Sequence, residues 1–271
     1  GFKKTLPGVA PVLVLADLEV IREAPLALAL SGVGDVLGKY TALADWRIAH
    51  ALAGESLCPR IEGLTRKAVE EVHGCCRDIS RKDPAAFERL TYGLLLSGLA
   101  MQMMGNSRPA SGSEHHVSHL IEMEPEPLGV RSDALHGEKV GVGAALVSGV
   151  YHALAGMEDI SQRVRPYPPL TPREAKELFG ERLSPSILQE NQTDCMTGVT
   201  PEQLAEKWGE IRSIIQDIPT REELESLYRE IGAKTTLADL GVKETLLPKL
   251  LDHSPLVRNR MTLMRIRRMI E

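Results

Sequence analysis

Five helix starts are marked in the sequence by a capping residue that stands directly before proline. The pairs are Asp83-Pro84, Thr171-Pro172, Ser184-Pro185, Thr200-Pro201 and Ser254-Pro255. Proline suits the first helical position because an amide there would have no partner, and the preceding side chain accepts a hydrogen bond from a free amide. Thr171, Thr200 and Thr220 are also followed three residues later by Glu or Gln, as in a reciprocal cap. The pattern predicts an all-helical C-terminal half.

Two strongly apolar segments are candidates for the central core helices. One covers 83–105 and ends at a glycine, a common helix terminator. The other covers 140–155 and contains Gly141, Gly143 and Gly149, where another backbone could approach closely. Since only 4% of the residues are aromatic, the core must be filled by leucine, alanine, valine and methionine, as in tightly packed bundles.

A single segment, 11–17, has the pattern of a buried β-strand, because branched apolar residues run up to Asp17. One strand cannot make a sheet, and everything after Pro25 has the punctuation of helices. We therefore expect a mainly α fold that is preceded by one residual strand.

Charge and hydropathy exclude several classes of protein. The 271 residues carry 32 basic and 37 acidic side chains, and the net charge of −5 argues against a general nucleic-acid binder. The longest apolar stretches, 93–104 and 140–156, are too short or too often interrupted to cross a bilayer. The first seven residues lack the apolar core of a secretory signal, and the four cysteines make a poor disulfide framework. These features predict a cytoplasmic globular protein without a membrane span.

The most informative chemistry is a group of histidines at a helix start. His115 and His119 are four residues apart, so they share one helical face, from which two imidazoles can approach one metal ion. Asp35 follows a glycine-rich stretch, and His136 begins a glycine-rich helix. Imidazole and carboxylate together suit Zn²⁺, Fe²⁺ or Ni²⁺. A hydrogen-bonded structural histidine is the common alternative for each residue taken alone, and the spacing leaves both interpretations open.

Four segments, taken in order, carry a resemblance to a known family. They are 31–46 (SGVGDVLGKYTALADW), 108–119 (RPASGSEHHVSH), 135–143 (LHGEKVGVG) and 257–263 (VRNRMTL). Together they resemble the sn-glycerol-1-phosphate dehydrogenases, which belong to the wider glycerol dehydrogenase and dehydroquinate synthase-like group. The resemblance implies the helical C-terminal domain of a dehydroquinate synthase-like fold. It also implies reduction of dihydroxyacetone phosphate to sn-glycerol 1-phosphate with NAD or NADP.

A metal site is part of what the resemblance implies. The ligands would be Asp35, His115 and His136, and the ion would be a divalent metal, with zinc as the first choice and nickel or iron as alternatives. Lys39 stands where related iron-dependent alcohol dehydrogenases have a further histidine ligand. That departure favours three protein ligands, with open positions for substrate oxygens.

Three further residues are candidates for contact with the substrate. His119, one turn beyond His115, is expected to act catalytically as a proton relay, or else to order the site through a hydrogen bond. Lys39 and Arg108 are candidates for binding the substrate phosphate, and the alternative for each is a solvated or helix-end cation. In this scheme the metal acts as a Lewis acid on the substrate carbonyl.

The resemblance further implies an upstream α/β domain in which a Gly-Gly-Gly turn receives the cofactor pyrophosphate. The sequence contains no such turn. We therefore interpret residues 1–25 as a remnant of the nucleotide-binding domain and residues 26–271 as the α-helical metal- and substrate-binding domain. We expect this chain to bind metal, to lack activity without a cofactor domain, and to form a homodimer in the complete protein.

Two other functions remain open at the level of sequence. A glycerol dehydrogenase would use the same metal on an unphosphorylated polyol. A non-catalytic helical interaction module would use its histidines structurally and would contain no stoichiometric metal. A lyase of the dehydroquinate synthase kind agrees less well with the motifs around Asp35 and His115.

Overall fold

The computed structural model describes residues 2–3, 6 and 8–271, and its regular structure is helical, which confirms the expected mainly α fold. Gly1, Lys4, Thr5 and Pro7, all in the segment interpreted as a domain remnant, lie outside the described residues. Short 3₁₀ turns join several of the α-helices, which are α1 (Leu18–Glu23), α2 (Leu26–Leu37), α3 (Lys39–Ala53), α4 (Pro59–Ile79), α5 (Pro84–Met104), α6 (Ser113–Met123), α7 (His136–Ala155), α8 (Pro172–Glu190), α9 (Pro201–Gln216), α10 (Arg221–Ile231), α11 (Leu247–His253) and α12 (Leu263–Ile266).

The strand predicted over 11–17 does not form. These residues have no regular secondary structure, and the side chains of Val12, Leu13 and Leu15 are exposed. A strand needs a neighbour for its amides and carbonyls, and the residues that the structure describes offer none. Their β-structure is limited to an isolated bridge between Val164 and Ile270.

Most of the predicted helix starts are confirmed by side-chain caps. Asp83 accepts a bond from the amide of Ala86 at the start of α5, and Thr171 caps α8. Thr200 and Thr220 form the complete reciprocal caps of α9 and α10. At Thr171 the cap is one-sided, because the side chain of Glu174 accepts a hydrogen bond from Arg268 and does not reach back to the cap.

Two of the predicted starts are wrong. Ser184-Pro185 lies inside α8, because the break in that helix comes earlier, at Gly180, whose φ of 78° and ψ of 172° are not helical. Ser254-Pro255 begins only a 3₁₀ turn, Ser254–Leu256, which directly continues α11. In both places the chain is already helical before the proline, so the pair does not mark the start of a new α-helix.

The helix α7 lies at the centre of the array, as predicted. Val147 packs into a large apolar cluster with residues of α3, α6, α8 and α9, while Ala144 packs into a second cluster with residues of α2, α4, α5 and α10. The other predicted core helix, α5, buries only one face, since Leu95 and Leu99 on its other face are exposed. No helix in the described part of the chain is long and apolar enough to cross a membrane.

Glycines bring α2 and α7 together without intervening side chains. A Cβ on Gly34 or Gly137 would overlap a backbone carbonyl of the opposite helix, and a Cβ on Gly141 would lie 3.1 Å from the Cα of Gly34. On the other side of α7, a Cβ on Gly143 would lie 2.8 Å from the carbonyl oxygen of Glu114 in α6. The predicted close approach of another backbone is thus confirmed at Gly141 and Gly143, whereas Gly149 faces the side chain of Arg221. The contact between α2 and α7 places Asp35, which follows Gly34, beside the start of α7.

Candidate metal centre

Three of the predicted site residues meet where α2, α6 and α7 converge. One ligand atom each of Asp35, His115 and His136 lies within 4.8 Å of the others. The Nε2 atom of His115 is 3.3 Å from Oδ1 of Asp35, and the Nε2 atom of His136 is 3.9 Å from the same oxygen. His115 is buried, whereas 40% of the His136 side chain is exposed, so the group is open on one side.

Each imidazole is oriented by a carboxylate on its outer edge. The Nδ1 atom of His115 is 2.7 Å from Glu114, and the Nδ1 atom of His136 is 2.8 Å from Glu122. A carboxylate at Nδ1 favours the tautomer that carries its proton there, which leaves Nε2 free as a ligand. In the neutral form of each ring, Nε2 can therefore donate a lone pair to an ion held beside Asp35.

The two orienting carboxylates were missed in the sequence, although a signal for them exists. Glu114 directly precedes His115, and Glu122 lies seven residues after it, two turns along the same face of α6. Burial raises the pKa of Glu114, but hydrogen bonds from His115, Thr41 and the amide of Gly112 hold it below its usual value. The carboxylate of Glu114 is therefore charged beside the imidazole of His115.

Lys39 is buried within the site and bonds Asp35. Its side chain is 1% exposed, and its Nζ atom donates to Oδ2 of Asp35 at 2.7 Å and to the Asp35 carbonyl at 2.8 Å. Burial alone would raise the pKa of Asp35, but Lys39 and His115 together hold it well below its ordinary value. Lys39 thus fixes one carboxylate oxygen and leaves the other facing the imidazoles.

His119 completes a cluster of three rings. Its centroid lies 5.9 Å from that of His115 and 6.0 Å from that of His136. Burial, with the nearby charge of His115, lowers the pKa of His119 to about 2, so the ring is neutral near pH 7. Its Nδ1 atom is buried and has no hydrogen-bond partner among the described residues.

The structure does not bring Arg108 to this group. Its guanidinium forms an ion pair with Glu55 at 2.7 Å and donates to the carbonyls of Asp45 and Met261. Arg108 lines a separate cavity of about 340 Å³. Arg108 was expected to lie at the metal site, but its guanidinium instead bonds three other segments of the chain to one another.

The rings open into a cavity of about 530 Å³. Its wall includes a basic segment, 258–260, that sequence reasoning had not singled out as part of the site, although the segment lies within one of the four motifs. The cavity is lined by Lys3, Asp35, Lys39, Met101, Ser107, Ala110, Ser111, His115, His119, His136, Glu190, Arg258, Asn259 and Arg260.

Known proteins resemble the chain over nearly its whole length. A protein of Bacillus licheniformis is 33% identical over 266 residues, one of Geobacillus thermodenitrificans is 32% identical over 267, and one of Bacillus subtilis is 32% identical over 266. Each is named glycerol-1-phosphate dehydrogenase, NAD(P)+. The chain is a homologue of the glycerol-1-phosphate dehydrogenases. A scan against models of known protein families gives no match.

The alignments cover a much larger share of this chain than of its homologues. The three alignments include 97–98% of this chain but only 55–59% of each relative. The chain thus spans little more than half the length of the curated glycerol-1-phosphate dehydrogenases that it matches. The resemblance given by the four motifs is confirmed.

The donor set fits a divalent transition metal. Two imidazole nitrogens and one carboxylate oxygen are borderline ligands that suit zinc, iron or nickel. Donors bound tetrahedrally at about 2.1 Å to one ion lie about 3.4 Å apart. The distances from Asp35 to His115 and His136, 3.3 and 3.9 Å, are close to that value.

Proposed function

We propose that the chain is the metal- and substrate-binding part of an NAD(P)-linked dehydrogenase that reduces dihydroxyacetone phosphate to sn-glycerol 1-phosphate. The observation that carries the proposal is the pair of carboxylate-imidazole contacts, which leave the Nε2 atoms of His115 and His136 beside Asp35. The homologues, which are named for glycerol 1-phosphate and NAD(P), support the substrate and the cofactor of this proposal.

In this proposal Asp35, His115 and His136 hold a divalent ion, with zinc as the first choice and nickel or iron as alternatives. When bound, the ion would polarise the substrate carbonyl and favour the transfer of hydride to its carbon. Three protein ligands leave room for substrate oxygens. The exposed side of His136 faces solvent and supports entry from that direction.

The residues around the ligands have distinct tasks. Glu114 and Glu122 hold the two imidazoles in the ligating tautomer, while Lys39 holds the Asp35 carboxylate. The reduction adds a hydride to carbon and a proton to oxygen. A neutral imidazole can accept a proton at one nitrogen and release one from the other, so we assign proton relay to His119.

Cofactor binding is assigned to a different domain from metal binding. We propose that residues 1–25 are the end of a nucleotide-binding domain and that residues 26–271 are the helical metal- and substrate-binding domain. The proposal is supported by the half-length match to the homologues and by the absence of a Gly-Gly-Gly turn from the sequence. The 271-residue chain alone should therefore bind metal but not catalyse NAD(P)-dependent turnover.

The proposal also includes the location, the oligomeric state and the binding partners of the protein. We propose a cytoplasmic homodimer whose partner is a small phosphorylated polyol rather than nucleic acid. The acidic net charge supports the latter point. The apolar side chains exposed on α5, including Tyr92, Leu95, Leu99 and Met103, support association with a second surface.

Metal content tests the proposal against a structural role for the histidines. The wild-type chain should contain about one metal ion per chain by elemental analysis after dialysis, whereas Asp35→Ala and His136→Ala should each lose most of it. The control is His50→Ala, since His50 lies outside the cluster and bonds the carbonyl of Glu55. Metal in neither the wild type nor the control, or equal metal in all four proteins, would contradict the proposal.

A further inference from the structure

Arg260 lies in the wall of the metal-site cavity and has no carboxylate partner in the described part of the chain. Its guanidinium donates to the carbonyl of Ser111 at 2.5 Å and to the hydroxyl of Ser107 at 3.1 Å, and both acceptors are neutral. Among the described residues it forms no ion pair within 4.0 Å. A partly buried charge that has only neutral acceptors is costly unless a ligand supplies the countercharge.

The other cations of the cavity differ from Arg260 because each has a carboxylate near it. Lys39 is also fully buried against its partner, and its charge serves the metal site. These cations are therefore less suited to bind an added anion. The pairs are Lys3 with Glu122, Lys39 with Asp35, and Arg258 with Glu190 at 3.8 Å.

Further positive charge lies behind Arg260. Arg108 lines the neighbouring cavity together with Arg260, and its Nη1 atom is buried and has no hydrogen-bond partner within the described residues. Burial and the charge of Arg108, offset in part by the more distant carboxylates Glu55 and Glu114, lower the pKa of Arg260 to about 10. At neutral pH the guanidinium of Arg260 is still charged. A bound anion would offset both the cost of burying this charge and its repulsion by Arg108.

The segment that carries Arg260 is fixed before any ligand binds. The amide of Asn259 donates to Glu190, its side-chain nitrogen donates to the carbonyl of Thr193, and its side-chain oxygen accepts from the amide of Cys195. Three bonds on one residue hold segment 258–260 against the end of α8 and the loop after it. A cation on such a segment pays little ordering entropy when it binds a ligand.

Arg260 and the metal centre are joined by a short piece of chain. Ser111, whose carbonyl accepts from Arg260, precedes His115 by four residues and lines the same cavity. A small ligand with an oxyanion at one end and an oxygen at the other could therefore contact both.

We propose that Arg260 binds the phosphate of the substrate and thereby determines preference for a phosphorylated over a free polyol. This inference rests on the proposed function, because it takes the metal ligands as the site of the reacting oxygen. A guanidinium can bond two phosphate oxygens at once, which makes it better suited than an ammonium group to this task. Arg108, predicted to bind the phosphate, acts behind Arg260 and does not contact the ligand.

Calorimetric titration of the zinc-loaded 271-residue chain tests this role. The ligands are sn-glycerol 1-phosphate, inorganic phosphate and glycerol, and the proteins are wild type, Arg260→Gln, Arg260→Lys and the control Arg173→Gln. Arg173 is exposed on α8 and pairs with Glu177. Loss of a charged hydrogen-bond donor should weaken binding of both phosphate ligands about 10- to 100-fold in Arg260→Gln, with glycerol affinity and zinc content unchanged.

Two further results decide the matter. Arg260→Lys, which keeps the charge, should recover part of the phosphate affinity, and Arg173→Gln should match the wild type. Undiminished phosphate binding by Arg260→Gln, or no recovery in Arg260→Lys, would overturn the inference and leave the metal proposal standing. If Asp35→Ala retained its zinc while Arg260→Gln still lost phosphate affinity, the proposed function would fail and the phosphate site would remain.

Discussion

Glu122, near the end of α6, bonds the Nδ1 atom of His136 at 2.8 Å and so turns the opposite nitrogen of that ring toward Asp35. Burial raises the pKa of Glu122, but hydrogen bonds from His136 and Lys3 lower it to about 2. The carboxylate is therefore ionised and can hold the imidazole in one tautomer. Because α6 presents His115 from its first turn and Glu122 from its last, one helix supplies a ligand and also orients another ligand on α7.

Replacing that carboxylate should weaken metal binding without removing a ligand. Glu122→Gln keeps the shape but loses the charge, so we expect about a 10- to 100-fold increase in the zinc Kd, measured by competition with a chromophoric chelator. The control is Glu88→Gln, because Glu88 is exposed on α5. Equal zinc affinity in the wild type and Glu122→Gln would show that the contact does not orient His136.

Metal affinity should fall as the solution is acidified. Burial lowers the pKa of His115, but bonds to Asp35 and Glu114 outweigh it and raise the pKa above its usual 6.5. In the metal-free protein the protonated ring thus contributes stability that is present below pH 6.5 and is lost as the pH rises through the folded-state pKa.

A metal needs the neutral ring, so protons compete with it. Below the raised pKa of His115 the zinc Kd should rise by up to about tenfold for each pH unit lowered, since one proton is displaced there. Chelator competition between pH 5 and 8 measures this slope, with the chelator's own protonation subtracted. A zinc Kd that stays constant across the interval would contradict the assignment of His115 as a ligand.

The glycine contact between α2 and α7 should be intolerant of even one methyl group. In Gly137→Ala the new Cβ would overlap the carbonyl of Ser31, so the helices must separate. We expect a loss of about 2 kcal/mol or more in the free energy of unfolding by urea, as for an overpacked core, together with loss of metal. The matched control is Gly209→Ala in α9, where a Cβ meets no atom of the described residues within 4 Å, and it should stabilise by up to about 1 kcal/mol. Similar changes in both variants would argue against the close contact.

A buried aspartate fixes the start of α6 against the C-terminal part of the chain. Asp45 accepts bonds from the amides of Ser113 and Leu263, at 2.8 and 2.7 Å, and from the hydroxyl of Tyr151. Asp45→Asn turns a donor toward these donors and should cost about 2–4 kcal/mol of unfolding free energy, measured by urea denaturation. Asp217→Asn, at an exposed ion pair with Arg47, should cost less than about 1 kcal/mol. A cost for Asp45→Asn no larger than that of this control would mean that the network is not stabilising.

The helical fold could be predicted because its signals are local. A capping side chain and a proline act within one turn, so the starts at Asp83, Thr171 and Thr200 are readable from neighbouring residues. The errors arose where tertiary structure decided the outcome. Segment 11–17 has the composition of a strand but no partner strand in the part of the chain that the structure describes, and Ser184-Pro185 follows a break that Gly180 had already made.

The metal-site residues lie far apart in sequence, and their convergence could be anticipated only through the family resemblance. Spacing alone pointed to His115 and His119, yet the structure groups His115 with Asp35 and His136 at ligand distance. The role of Arg260 was hidden for a different reason. It depends on which cations already have carboxylate partners, and only the folded structure determines those pairings.

The most direct test of the account is the position of the ion itself. Crystals of the chain grown with zinc and measured at the zinc absorption edge should give one strong anomalous peak per chain. The account predicts that peak at about 2.0–2.2 Å from Oδ1 of Asp35 and from the Nε2 atoms of His115 and His136. Zinc bound elsewhere, with these three side chains apart, would contradict it.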